Sequence, residues 1–314
     1  MKVLVTGVAG FIGSTITRRL LRDKFDVVGI DSITDYYEKS LKRANLTDLL
    51  DNGLQFIEED INATDLDSLL KGINIVIHQA GQPGVRSSWG NEFDVYTQAN
   101  VMATQRLLEA SVRASQPIRF VYASSSSVYG NAETYPCLES DRPQPMSPYG
   151  VTKLAAEHLV NVYATNFGLS TVSLRYFTVF GPGQRTDMAF TRFARAAVRG
   201  ETITVYGSVE QIRDFTYVDD VVEANILVAL KPIAPGSVFN VAGGSSVSVN
   251  EILDLFSELH GSPLKIERAA GVRGDVPRTG GDCRAIEHAV GWRPSVHLRA
   301  GLVRQYQWAA ERFG

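Results

Sequence analysis

Cysteine is nearly absent: Cys137 and Cys283 are the only two in 314 residues. They supply neither a disulfide framework nor metal-ligand spacing, and no histidine pair has such spacing either. No metal is therefore expected, and a reducing cytoplasm is the expected compartment. Long apolar runs are lacking too. None approaches the roughly 20 residues of a membrane span, and the opening residues Lys2-Val3-Leu4-Val5 read directly as a strand, without a charged leader or cleavage site. No membrane partner is expected. Nor is one sign of charge in large excess: a net charge of -3 and a pI near 6.0 argue against a nucleic-acid groove as the main working surface. What is present is ordinary globular material, 44% hydrophobic and 21% charged, in a chain long enough to bury a core without staples.

The first half alternates short apolar runs with helical spacing. Residues 2–6, 26–30, 54–57, 73–78 and 119–124 read as buried strands, and 14–22, 40–50, 65–71 and 94–114 as the helices between them. That alternation predicts an α/β fold, a Rossmann-type doubly wound parallel sheet covered on both faces. Its ligand site is expected at the carboxyl ends of the strands, near the switch in strand order. Beyond about residue 175 glycine, proline and arginine become frequent. Short helices at 188–199, 218–230, 248–260 and 297–312 alternate there with strands at 203–206 and 237–241. The expectation is a dinucleotide-binding domain over 1–175 and a smaller C-terminal substrate lobe over 176–314, with interleaved segments.

Thr6-Gly7-Val8-Ala9-Gly10-Phe11-Ile12-Gly13 follows the first strand and opens a helix. Gly7 permits a tight turn, Gly10 lets backbone approach a pyrophosphate, and Gly13 lets the helix pack on the strand. The helix end then offers free N–H groups to the phosphates. The spacing is GxxGxxG, not the commoner GxGxxG. Asp31 ends the second strand, where a carboxylate accepts from adenosine ribose hydroxyls and repels a 2′-phosphate, which favours NAD over NADP. Asp60 and Ile61 after the third strand are expected at the adenine, although a solvated turn suits Asp60 equally. Gln79, Ala80 and Gly81 are expected along the middle of the cofactor.

Ser147-Pro148-Tyr149-Gly150-Val151-Thr152-Lys153 has the marks of a helix start, with Ser147 at the N-cap and Pro148 in the first turn. Tyr149 and Lys153 lie one turn apart on one face. A free phenol, with a pKa of about 10, is a poor base at neutral pH. An ammonium, the positive helix end and an oxidised nicotinamide would all favour the phenolate and bring Tyr149 toward working pH. Upstream, Ser124-Ser125-Ser126-Ser127 caps a strand and could orient a reacting hydroxyl, or be simply a polar turn.

Together these motifs, with Arg175-Tyr176-Phe177-Thr178-Val179-Phe180-Gly181-Pro182 and Arg213-Asp214-Phe215-Thr216-Tyr217, resemble the extended short-chain dehydrogenase/reductase family, in particular its sugar-nucleotide epimerases and dehydratases. The resemblance implies Tyr149 as the base, Lys153 as its partner and holder of the nicotinamide ribose, and Ser125 in place of the catalytic Ser/Thr. Tyr176 is placed by it at the cofactor, Thr178 beside substrate and cofactor, and Arg213 on the nucleotide diphosphate, followed by Arg185 and Arg192. Asp275 corresponds to the position that holds the uridine ribose. One departure is Gly81, where alanine is usual.

Family members first oxidise C4 of the sugar and then diverge. Those that eliminate or decarboxylate generally carry an acid after the strand-end Ser/Thr, where this chain has Ser126 and Ser127. The resemblance therefore implies 4-epimerisation with NAD retained. The stretches 82–89 and 184–190 look most like those of UDP-glucuronate 4-epimerases; neutral or N-acetylated UDP-hexoses come second, decarboxylation third, and a non-catalytic NAD-sensing protein is the reading from another class. Apolar stripes at Val101, Leu107, Leu108 and at Leu154, Leu159, Val162 suggest paired helices in a homodimer, or contacts with the sheet alone.

Overall fold

The protein is described by a computed structural model covering residues 1–207, 210–270 and 276–314. It opens with β1 (Lys2–Thr6), α1 (Phe11–Arg22), β2 (Asp26–Ile30), α2 (Lys39–Asp51), β3 (Gln55–Ile57), α3 (Leu66–Leu69) and β4 (Ile75–His78). A broken helical stretch follows, made of α4 (Phe93–Tyr96), a π-helical turn (Thr97–Met102) and α5 (Ala103–Arg113). Next come β5 (Arg119–Ser125), α6 (Pro148–Phe167) and β6 (Ser170–Tyr176). The rest comprises β7 (Val179–Phe180), α7 (Ala189–Arg199), β8 (Ile203–Tyr206), β9 (Ile212–Arg213), β10 (Thr216–Tyr217), α8 (Val218–Leu230), β11 (Ser237–Val241), β12 (Val247–Ser248), α9 (Val249–His260), β13 (Ile266–Ala269), α10 (Arg284–Val290) and α11 (Leu298–Phe313).

Seven strands form one parallel sheet in the order β11-β6-β5-β4-β1-β2-β3. Val3-Leu4-Val5, Ile75-Val76-Ile77 and Phe120-Val121-Tyr122 are buried along their whole length, as strands covered on both faces must be. Because β1 lies between β2 and β4, the chain leaves it in opposite directions, and the loops after β1 and β4 part to leave a crevice. Among the smaller pairs, β8 lies with β13 and β9 with β12. α7, α9 and α10 lie C-terminal to α6, and an aromatic cluster of Phe180, Phe190, Phe193 and Phe256 packs the neighbourhood of α7 and α9.

Several expected elements differ. The strand at 237–241, expected in the second lobe, is the edge strand of the main sheet beside β6. β6 was not among the expected strands: Ser170-Thr171-Val172-Ser173-Leu174-Arg175-Tyr176 intersperses polar residues with apolar ones, and its Arg175 is buried by pairing with Glu157. The helix expected over 65–71 keeps only Leu66–Leu69, ended by Gly72 at φ +73°. The helix expected over 94–114 is interrupted at Asn100. Its side chain turns inward to accept from Gln82 N (2.7 Å) and to donate to Gln82 O (3.1 Å) and Thr152 Oγ1 (3.0 Å), within the wider π turn. The apolar stripes divide as well: Leu107 and Leu108 are buried against the sheet, Val101, Leu154 and Leu159 are half-buried, and Val162 faces outward, as do Met102, Val151 and Phe167 outside the stripes.

Candidate active site

The turn after β1 is one that only glycine completes. Gly7 has φ +67°, and a Cβ there would stand 2.8 Å from Ala80 N; a Cβ on Gly13 would meet Gly7 O at 2.2 Å. α1 can therefore start hard against β1. Its N-terminus has neither a side-chain cap nor an acidic residue in the first turn, so its amides remain available to an anion.

A groove of about 500 Å³, within the range of small-molecule sites, runs from this turn across the ends of the strands. Gly7, Gly10, Phe11, Ile12 and Gly13 line its floor, and Asp31, Asp60 and Ile61 one end. Gln79, Ala80 and Gly81 line its middle, and Tyr149, Lys153 and Tyr176 the other end. The structure thus brings every residue expected at the cofactor to one continuous surface. Asp31 is held in a fixed orientation, accepting from Ala9 N (3.1 Å) and Ile33 N (2.8 Å). Asp60 accepts from Asn62 N (2.7 Å), a solvated turn that also forms the rim of the groove. Gln79 donates to Tyr176 Oη (2.9 Å) and to Asn225 Oδ1 (3.2 Å). A methyl at Gly81 would come within 2.7 Å of Asn100 Oδ1, the atom that pins Gln82, so glycine here leaves the π turn undisturbed. Glycine cradle, uncapped helix end and oriented carboxylate fit a dinucleotide.

Ser147 caps α6, accepting from Gly150 N (3.1 Å), and Pro148 occupies its first turn; Tyr149 and Lys153 are thereby fixed on the face turned to the groove. The Lys153 ammonium stands over the Tyr122 ring, 4.6 Å from its centroid. Burial pulls Lys153 down to about 7, opposed by Glu157. Burial pushes the Tyr149 phenol above its ordinary value, and the Ser125 hydroxyl bonded to it and the Arg185 guanidinium draw it back only in part. The chain's own groups leave the rest of the pull toward phenolate to the oxidised nicotinamide that the expectation also named. His78 is fully buried between Thr6 (2.7 Å) and Thr104 (3.0 Å), a packed histidine pushed down to about 3 by burial.

Around α6 lies a polar knot that sequence reasoning missed. Glu157, one turn beyond Lys153, accepts from Ser124 Oγ (2.6 Å) and pairs with Arg175 (2.6 Å), both partners about 95% buried. Arg175 also donates to Tyr129 Oη (2.8 Å) and Glu139 O (3.2 Å). Tyr129 donates to Asn240 (2.7 Å), and Asn240 donates to Cys137 O (2.9 Å) and Asp282 O (3.2 Å). The strand carrying Ser124 and Ser125 is thus tied to segments from the C-terminal half.

A second cavity, of about 180 Å³, adjoins the serine turn. Ser126, Ser127, Thr178 and Arg213 line it, together with Arg86, which the sequence reading passed over. No acidic side chain lines it among the described residues. Arg86 stacks on Tyr206, 4.7 Å from its centroid, and this pairing across distant segments leaves no local sequence signal. The other expected substrate residues are dispersed. Ser125 bonds to Tyr149 and accepts from Ser127 N (3.2 Å). Arg185 lies in the larger groove, its fork held by Asp187 (2.9 Å). Arg192 lines neither cavity; it approaches the Tyr206 ring at 5.9 Å and Thr204 O at 3.5 Å. Asp275 lies outside the described residues.

A family model described as NAD dependent epimerase/dehydratase matches residues 3–242. A Bacillus subtilis protein named as an uncharacterized UDP-glucose epimerase, YtcB, is 40% identical, over 100% of this chain and 99% of its own. A probable UDP-glucuronate 4-epimerase of Rhizobium meliloti is 34% identical, over 100% of this chain and 98% of its own. The crystal structure of a UDP-glucuronic acid 4-epimerase from Bacillus cereus, in complex with UDP-glucuronic acid and NAD, superposes with a TM-score of 0.96 at 39% identity, over 99% of this chain and 100% of that one.

Proposed function

We propose, from the premise that this chain belongs to the NAD dependent epimerase/dehydratase family, that it is an NAD-dependent isomerase converting UDP-glucuronate to UDP-galacturonate. The observation that carries the sugar assignment is the smaller cavity: five hydroxyl side chains (Ser126, Ser127, Ser147, Thr178 and Thr279) and no carboxylate among its described lining residues, a setting for an anionic sugar beside two arginines that suit its diphosphate. Its lining includes Ser126 and Ser147, one residue from Ser125 and two from Tyr149.

In this reading Ser125 orients the C4 hydroxyl and Tyr149 takes its proton. When bound, NAD would supply the hydride acceptor and donor at C4 and a positive ring that favours the Tyr149 phenolate. Glycines 7, 10 and 13, Asp31 and the middle of the groove hold that group; Lys153 takes its ribose. Tyr149 returns the proton once the keto sugar has turned over. Arg213 and Arg86 take the diphosphate. Residues 1–175 are the cofactor half, with β11 lent to their sheet, and also give the sugar site its serine turn; 176–314 add Thr178, Arg213, Val276 and Thr279 to it.

A 4-keto uronate is a β-keto acid and loses carbon dioxide when its carboxylate stands perpendicular to the carbonyl. Ser126, Ser127 and Thr178 hold that carboxylate out of this geometry with neutral donors, which tolerate both epimers. Replacing Ser126 or Ser127 by alanine is expected to weaken UDP-glucuronate binding about tenfold, as for a hydrogen bond to a charged group, and to release some UDP-pentose. Titration calorimetry and product chromatography read both effects; unchanged affinity with no pentose removes the serines from this role.

A neutral UDP-hexose is the second reading, favoured by the name of the Bacillus subtilis relative. Incubating the protein with UDP-glucuronate and NAD and separating the products decides among them. UDP-galacturonate is expected. UDP-xylose would mark a decarboxylase, and no conversion of the uronate alongside conversion of UDP-glucose would mark the neutral-sugar enzyme. The outward Met102, Val151, Val162 and Phe167 suit pairing with a second copy as a homodimer. No helix among the described residues is long and apolar enough to cross a membrane. Two unpaired thiols suit the reducing cytoplasm.

A further inference from the structure

Residues 32–38, Ser-Ile-Thr-Asp-Tyr-Tyr-Glu, join β2 to α2, and a shorter turn would suffice for that. They run instead along the open side of the groove, which Ser32, Thr34, Tyr36 and Tyr37 line. The root of the segment is fixed from inside. Asp31 accepts from Ile33 N (2.8 Å), and Ile33 is buried at φ +46°, a conformation a β-branched residue keeps only when its surroundings enforce it. Lys42, buried beneath, donates to Thr34 O (2.8 Å) and Thr34 Oγ1 (2.9 Å) and stands 4.8 Å from the Tyr37 ring centroid.

The far end is fastened to other walls. The Tyr36 hydroxyl is 3.2 Å from Ser87 Oγ, in the loop after β4, and Ser87 Oγ is 2.7 Å from Tyr96 Oη. Arg185 lies over the Tyr36 ring at 5.7 Å, and Thr186 donates to the Glu38 carboxylate. Gly84 makes room for this arrangement: a Cβ there would fall 2.2 Å from Tyr36 Oη. The Tyr96 ring in turn meets Tyr149 edge-on, 6.3 Å between centroids. A loop packed only for its own stability would be bonded on its own side of the groove; this one is bonded to the β4 loop and to the segment after β7.

We propose that Tyr36 and Ser87 are further cofactor-holding residues, the clasp of a strap formed by residues 32–38 that closes over bound NAD and must open for NAD to leave. The inference rests on the NAD reading and extends it to the rate of cofactor exchange. Ser32, Thr34 and Tyr36 line the same groove as the glycine turn, so a dinucleotide held there under the strap leaves only after the Tyr36–Ser87 bond breaks.

The test is a chase of holoenzyme loaded with isotopically labelled NAD into excess unlabelled NAD, with Tyr36→Phe, Ser87→Ala and the double variant. Each single substitution removes the Tyr36–Ser87 hydrogen bond, Ser87→Ala with the Ser87–Tyr96 bond besides, and is expected to speed release at least about five- to tenfold, the worth of one neutral hydrogen bond; the double variant is expected to be no faster than Ser87→Ala alone. Tyr36→Phe keeps the ring under Arg185, so a loss of packing is not what it reports. A single variant that releases NAD at the wild-type rate overturns the clasp, as does a double variant whose effect is the product of the two. Either result leaves the epimerase reading intact if the protein still forms UDP-galacturonate. A protein that fails to hold labelled NAD at all overturns both.

Discussion

Tyr149→Phe is expected to slow epimerisation by about 10²–10⁴-fold, the range for loss of a general acid–base group, while the protein still folds and holds NAD. The substitution deletes one oxygen. The ring keeps its edge-on contact with Tyr96, and the glycine turn and Asp31 that hold the cofactor lie elsewhere in the groove. What disappears is the proton acceptor bonded to Ser125. Burial holds the phenol up, so the active phenolate grows as pH rises, and the wild-type kcat/KM is expected to climb from neutral into mildly alkaline pH. The phenylalanine variant should lose that climb along with its rate. Steady-state assays across pH, together with the cofactor content of the purified variant, check both. A variant within a few-fold of wild type would take Tyr149 out of the mechanism.

The second large effect concerns folding. Glu157→Leu leaves Arg175 charged, about 95% buried and without its carboxylate, and is expected to cost about 3–5 kcal/mol of stability, the range for stranding one member of a buried pair. Replacing both, Glu157→Leu with Arg175→Met, is expected to recover most of the loss, because two apolar side chains of similar size avoid both desolvation penalties. Denaturant midpoints at constant m-value read the difference. A single variant that loses less than about 1 kcal/mol would mean that water reaches the pair.

Residues that act through local spacing were legible in the sequence. The glycine turn, Asp31 and the Ser147–Lys153 helix start carry their geometry in a few consecutive positions, so the switch-point groove could be placed before any fold was seen. Arg86, Arg175 with Glu157, and Tyr36 with Ser87 were not, since each acquires its partner from a distant segment and looks by itself like a solvated side chain. Asn100 left a trace too faint to use: a polar residue on the sheet side of an apolar stripe. The pull of the helix end and the lysine on Tyr149 can be read from sequence, whereas the opposing effect of burial comes from packing around the whole site.

The bonds that converge on Asn240 carry a consequence for the reaction itself. Tyr129, Cys137 and Asp282 all meet there, and through Tyr129 the knot reaches the buried ion pair behind the catalytic helix. Walls riveted together in this way do not swing apart once per catalytic cycle. If the sugar must show first one side and then the other to the same tyrosine, it is the ring that tumbles, hanging from its anchored diphosphate like a clapper in a fixed bell.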